Sequence, residues 1–160
     1  VFDSLEDLAN RIDMADLDVT KDSVLILRNA GPKGVPGMPE AGYLPIPKKL
    51  VRAGVKDMVR ISDARMSGTA FGTIVLHISP KAGAGGPLAA VRNGDRIRLS
   101  VKDKSIDLLV PDQQIANRLG EFAPLEGHKR GYRALYERAV LQAPDGCDFD
   151  FLTQSGKTRR

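Results

Sequence analysis

The chain has 160 residues, a length that suits a single domain able to bury roughly 70% of its unfolded surface. Apolar residues make up 42%, charged residues 28% and aromatics 5%, with no Trp, which is a globular rather than a disordered or fibrous balance. The net charge of +4 invites a nucleic-acid reading, but Lys157, Arg159 and Arg160 of the SGKTRR ending supply three of those charges; the near-neutral body lacks the electrostatic footprint of a phosphate binder.

Taken in chain order, Ser4-Leu5-Glu6-Asp7 reads as a helix start with Ser4 as N-cap. Leu5, Leu8 and Ile12 then recur at helical spacing, which predicts a helix over 4–13. Val24-Leu25-Ile26-Leu27 is a short apolar run of the kind found in a buried strand. From Asn29 to Gly42 the density of Gly and Pro excludes helix or ladder. A helix is expected over 45–54, with its prolines in the first turn and Gly54 as its stop, and a strand over 58–61. The segment 62–69 (SDARMSGT) is turn-like, Thr73–Ile78 is the best strand signal in the chain, and 81–86 is a Gly/Ala loop ahead of one helical turn at 86–91.

Asn93-Gly94 is a turn signal before Arg96–Val101, whose polar/apolar alternation marks a strand with one wet face. Ile106–Val110 returns as its hairpin partner. Helices are expected over 112–118 and 130–141, the latter with Leu135, Ala139 and Val140 as its apolar stripe, and 146–152 closes as an extended, aromatic-anchored arm. Strands and hairpins at the centre with helices at both ends predict an α+β domain built on a sheet or small barrel. The domain spans 1–152, and 153–160 is expected to be a disordered basic tail.

No apolar stretch approaches the ~20 residues of a membrane-spanning helix, and VFDSLEDLAN has neither the basic nor the apolar region of a signal peptide. One cysteine, Cys147, cannot form an internal disulfide or a Cys-based metal site by itself. The expectation is a cytoplasmic protein without membrane or nucleic-acid partners.

Two Gly-rich turns follow two expected strands: 31–40, with the carboxylate of Glu40, and 63–69, with Asp63, Arg65, Ser67 and Thr69 around Gly68. Both follow apolar strands, so parallel, adjacent strands would bring the two loops to one end of the sheet. A hydroxyl beside Gly68 is a candidate nucleophile or base, although an ordinary tight turn uses the same residue types. No imidazole is paired with Ser67 by spacing: His77 reads as structural within the 73–78 strand and His128 as a solvated loop residue, so a Ser-His-Asp hydrolase has little support. GPKGVPG lacks the order of a phosphate-binding loop, because Lys33 falls inside the glycines. Cys147 reads as a packing residue.

GPKGVPGMPE (31–40), AGYLPIPKKL (41–50), ISDARMSGTAFGTIVLHISPKAGAGGPLAAVRNGDRI (61–97) and the closing DFDFL (148–152) together resemble the C-terminal domain of the dihydroxy-acid and sugar-acid dehydratases. MPEAGYLPIP and SDARMSGTAFG are closest to its pentonate branch, the arabinonate and xylonate dehydratases. The resemblance implies removal of water from a 2,3-dihydroxy aldonic acid to give a 2-keto-3-deoxy acid, with an iron-sulfur cluster, of the 2Fe-2S type, and Mg²⁺. The cluster ligands would come from a larger N-terminal domain absent from this sequence, within a homo-oligomer, so the isolated chain is expected to be inactive. It also implies a central β-barrel or strongly curved, mostly antiparallel sheet with flanking helices, related to the swivelling domain of aconitase-like enzymes. Position by position, Ser67 matches the base that takes the C2 proton, Thr69 an assisting hydroxyl and Glu40 a carboxylate reaching Mg²⁺. Arg65, Ser67 and Thr69 are expected to touch substrate. The end of the domain carrying these loops is then an interface, where Val35, Met38 and Phe71 are expected to be exposed. The alternative is a stand-alone module whose Gly-rich loops hold an anion through backbone N–H groups.

Overall fold

The computed structural model describes residues 1–32, 43–66 and 72–153. At its centre lies a parallel sheet of β1 (Leu25–Leu27), β2 (Arg60–Ser62) and β3 (Ile74–Val75) in the order β1-β2-β3. The register sets Leu25, Ile26 and Leu27 against Arg60, Ile61 and Ser62, and Arg60 and Ile61 against Ile74 and Val75. Phe2 extends the sheet by a parallel bridge to Leu27. The unbroken apolar run of β1 follows from burial of both faces, because successive strand side chains alternate. Leu25 and Leu27 pack with Phe2, Leu8, Ile12, Leu44 and Met58 on one face, and Ile26 joins Ile61, Ala82, Leu88 and Val91 on the other.

Helix α1 (Leu5–Arg11) covers the first face. Ser4 caps it as expected, its Oγ accepting the Asp7 N–H at 3.0 Å, and Leu8 and Ile12 enter the core. The crossover from β1 to β2 contains α2 (Lys48–Arg52), and two 3-10 turns, Ala82–Ala84 and Pro87–Ala90, cover the second face. Arg28 secures the second turn: its Nη1 donates to the carbonyls of Leu88, Ala89 and Val91 at 2.9, 3.1 and 2.9 Å, while Nε reaches Asp3 at 2.6 Å.

A separate antiparallel hairpin, β4 (Ile97–Ser100) and β5 (Ser105–Leu108), leads to α3 (Asp112–Gly120) and α4 (Gly131–Ala139). The C-terminal segment returns to α4 through an antiparallel bridge from Phe149 to Val140 and an edge-on contact of Phe149 with Tyr136. Among the described residues no helix is long and apolar enough to cross a membrane.

Several elements differ from expectation for identifiable reasons. The strand expected over 73–78 is regular only at Ile74–Val75, because His77 adopts φ +56° and the next hydrogen bonds run from His77 N to Ala64 O and from Ile78 N to Ser62 O. Helix α2 begins at Lys48 rather than Pro45: Pro47, at φ −51° and ψ 132°, is extended, and a proline disfavours helix in the residue before it. In α4, Leu135 is exposed and Tyr136 takes the buried position. The closing arm includes a 3-10 turn at Asp150–Leu152 instead of running extended throughout. The central sheet is parallel, since the chain crosses over between β1 and β2 and again before β3, and among the described residues antiparallel pairing is found in the β4–β5 hairpin and the Val140–Phe149 bridge. Among the described residues neither sheet closes on itself. Of the basic tail, all but Thr153 lies outside the described residues.

Leu27 is wholly buried at the sheet centre, so Leu27→Ala should cost about 3 kcal/mol in urea unfolding, the range for a truncation that leaves a cavity. A pH-dependent contact joins α3 to the turn after Val91. Arg118 grips both oxygens of Asp95 at 2.6 and 3.2 Å, and the Arg92 N–H donates to the same carboxylate at 2.7 Å. Burial alone would raise the Asp95 carboxyl, but these bonds and the charges of Arg118 and Arg92 hold it below its ordinary 3.8. A carboxyl depressed in the folded state adds stability that is present above its unfolded value and lost as pH falls through the folded one. Asp95→Asn should therefore flatten the acid limb of a stability–pH curve below about pH 4 and leave its slope above that pH unchanged, as read by denaturant titrations at stepped pH.

Candidate active site

In open parallel sheets, ligands bind beyond the carboxyl ends of the strands. Here β1 and β2 are neighbours running the same way, so the segments that follow them leave from one edge. The chain exits β1 through Arg28, Asn29, Ala30, Gly31 and Pro32, and exits β2 through Asp63, Ala64, Arg65 and Met66. The parallel, adjacent strands on which the expected loop placement depends are present, while the loops themselves lie outside the described residues past Pro32 and Met66.

The two exits are joined at Asp63. Its carboxylate is fully buried and accepts three backbone N–H groups: Asn29 and Ala30 at 3.2 Å each from the β1 exit, and Ala82 at 3.1 Å from the first 3-10 turn. Asn29 presents its N–H from φ +58°, a left-handed conformation that Asn tolerates better than most residues. Ser62 Oγ accepts the Ala64 N–H at 3.0 Å and tightens the turn after β2. Lys81, also fully buried, sends its ammonium to the Asp63 carbonyl, and its own N–H donates to Gln142 Oε1 at 3.1 Å. Gly31 fits flush between these groups: a Cβ there would lie 2.6 Å from the Asp63 carbonyl oxygen and 2.8 Å from Lys81 Cδ.

The electrostatics follow from burial. It pushes the Asp63 carboxyl up, against the opposing pull of its N–H donors and Lys81. It pushes the Lys81 ammonium down, partly offset by Asp63. His77, though exposed at its surface, is lowered first by partial desolvation and then by the charges of Lys81 and Arg65, a direction that favours the neutral imidazole. His77 is exposed and stands past the end of β3, not within a strand as its sequence context implies. Its backbone N–H bonds Ala64 at 3.2 Å, so it belongs to the same sheet edge.

Of the residues singled out from the sequence, Arg65 stands exposed on the β2 exit, two positions past Asp63. Glu40, Ser67 and Thr69 lie outside the described residues, as do Val35, Met38 and Phe71. What the fold brings together is the root of each loop that carries them. Lys81 gave no sequence signal, being one lysine in a Gly/Ala loop, and Asp63 read only as a turn residue. Among the described residues no group of three or more His, Cys, Asp or Glu converges on a metal position. The sole cysteine, Cys147, does not fit a cluster, which needs several thiolates.

The family model for the dihydroxy-acid/6-phosphogluconate dehydratase C-terminal domain matches residues 1–147. The chain is 54% identical over 158 residues to 6-deoxy-6-sulfo-D-gluconate dehydratase of Pseudomonas putida, covering 98% of this chain and 27% of that protein. It is 50% identical over 159 residues to L-arabonate dehydratase of Azospirillum brasilense, covering 95% and 27%. With L-arabinonate dehydratase of Rhizobium leguminosarum bv. trifolii it shares 46% over 153 residues, covering 95% and 26%. The chain thus spans about a quarter of the length of the curated relatives it matches. On a family match over nearly its whole length, the chain belongs to the dihydroxy-acid/6-phosphogluconate dehydratase C-terminal domain family.

Proposed function

We propose that this chain supplies one half of the active site of a sugar-acid dehydratase, a hydro-lyase whose other half is an N-terminal domain of the same enzyme. The observation that carries the reading is the parallel adjacency of β1 and β2, with their exits joined on Asp63. The loops leading to Glu40 and to Ser67 therefore start from one sheet edge. The substrate class is a 2,3-dihydroxy aldonic acid. A pentonate is favoured by the motifs MPEAGYLPIP and SDARMSGTAFG and by the names of two relatives.

In this reading Ser67, as alkoxide, takes the proton from C2. The C2–H electron pair forms the C2–C3 double bond, the C3 hydroxyl departs, and proton and hydroxide together account for the water lost. The resulting enol becomes the 2-keto-3-deoxy acid by gaining a proton at C3 and losing the proton of its C2 hydroxyl. Thr69 holds the alkoxide or the substrate, and Arg65 offers its cation to the aldonate carboxylate. Glu40 is the residue of this chain suited to Mg²⁺, a hard cation that prefers oxygen ligands. With one cysteine in this chain, the thiolates of an iron-sulfur cluster must come from elsewhere in the enzyme. The isolated domain is accordingly inactive, and the full enzyme is a cytoplasmic homo-oligomer.

The test is Ser67→Ala in the full-length enzyme, assayed on a panel of pentonates and on 6-deoxy-6-sulfogluconate. Turnover should be lost with fold and metal content intact, because the sequence pairs neither of the chain's two imidazoles with Ser67 as a replacement base. A rate within about tenfold of the parent, only ~1.4 kcal/mol of barrier, would place the base elsewhere. Turnover of a pentonate by the 160-residue chain alone would refute the half-site.

A further inference from the structure

Asp63 and Lys81 are both fully buried, yet they do not simply neutralise each other. Among the described residues, the Asp63 carboxylate accepts the backbone N–H groups of Asn29, Ala30 and Ala82. The Lys81 ammonium goes to the backbone carbonyl of Asp63. Each charged group is thus used on main chain, and the pair ties together the β1 exit, the β2 exit and the 3-10 turn at Ala82–Ala84. Through its N–H, Lys81 also reaches Gln142 beyond α4. Gly31 leaves the β1 exit in contact with both the Asp63 carbonyl and the Lys81 stem, so neither exit can shift without disturbing the other. An apolar side chain in place of Lys81 would fill the space but leave a buried carbonyl without its donor.

We infer that Asp63 and Lys81 are positioning residues for the dehydration: they fix the spacing between the exits of β1 and β2, the roots from which the segments bearing Glu40 and Ser67 continue. The inference rests on the dehydratase reading above. A base that must meet a C2 proton is sensitive to displacements of about 1 Å, which can cost on the order of 100-fold in rate.

The test uses the full-length enzyme, with Lys81→Met, which keeps an unbranched apolar stem and removes the ammonium, and Asp63→Asn, which places amide hydrogens against the converging N–H donors. Steady-state kinetics on the preferred pentonate are measured well below each thermal midpoint, with circular dichroism and metal content as controls. In the folded variants kcat should fall at least about tenfold while KM changes less than about threefold, the signature of lost alignment rather than lost binding. A purely structural role would instead lower the midpoint and leave the kcat of folded enzyme within about twofold of the parent. That outcome, or failure of both variants to fold, would overturn the inference. Ser67→Ala in the same assay separates the two claims. Parental turnover in Ser67→Ala would refute the base but leave the alignment effect readable in Lys81→Met, whereas an inactive Ser67→Ala beside a fully active Lys81→Met would refute the positioning role alone.

Discussion

The end of the sheet where the two loops begin depends on the carboxylate of Asp63 and the three N–H groups it collects. Strand pairing by itself orients the two exits but does not fix them, since the ladder ends at Leu27 and Ser62. Beyond those residues each backbone N–H needs a new acceptor, and a buried donor left without one is costly. Asp63 meets that need for both Asn29 and Ala30 and, on its other side, for Ala82. A carboxylate is suited to this because, ionised, it is acceptor-only and can serve several donors at once. Burial penalises that ionised form, and the convergence of N–H groups together with the Lys81 charge opposes the penalty.

How much of this was legible in the sequence depended on whether the signal was local. Ser4 and the Leu5, Leu8, Ile12 spacing report a cap and an amphipathic face, both set within one helix, and α1 follows them closely. The alternation over 96–101 likewise reports a hairpin strand with one wet face, found as β4 over Ile97–Ser100, although Val101 past its end is exposed. The length of β3 did not follow from its apolar run, because the chain is diverted by hydrogen bonds from His77 and Ile78 to residues well upstream in sequence. Parallel pairing of β1 with β2 could be argued from two apolar strands each followed by a Gly-containing loop, but the carboxylate that joins their exits could not. Asp63 looks like any turn aspartate, and Lys81 carries no periodicity, motif or spacing to mark a lysine destined for full burial.

The motifs that carry the family resemblance and the residues that hold the fold together are therefore interleaved rather than separate. Within SDARMSGT, Ser62 and Asp63 shape the backbone while Arg65, Ser67 and Thr69 are the groups proposed to meet substrate. Within HISPKAGAGG, the lysine braces a neighbouring loop instead of facing a ligand. A chain that spans about a quarter of its relatives' length in this way holds the roots of two loops at one sheet edge.

Arg28 shows what the same economy means for substitution. Three carbonyls of the 87–91 turn point at one guanidinium nitrogen, so the turn is a small cup of negative partial charge with a cation seated in its mouth. Lysine keeps the charge but not the fork that lets one nitrogen serve the cup while Nε serves Asp3. A neutral side chain would turn the cup into an open seat for water or a small monovalent cation. The side chain at position 28 thus answers to the carbonyls of a turn about sixty residues away in sequence.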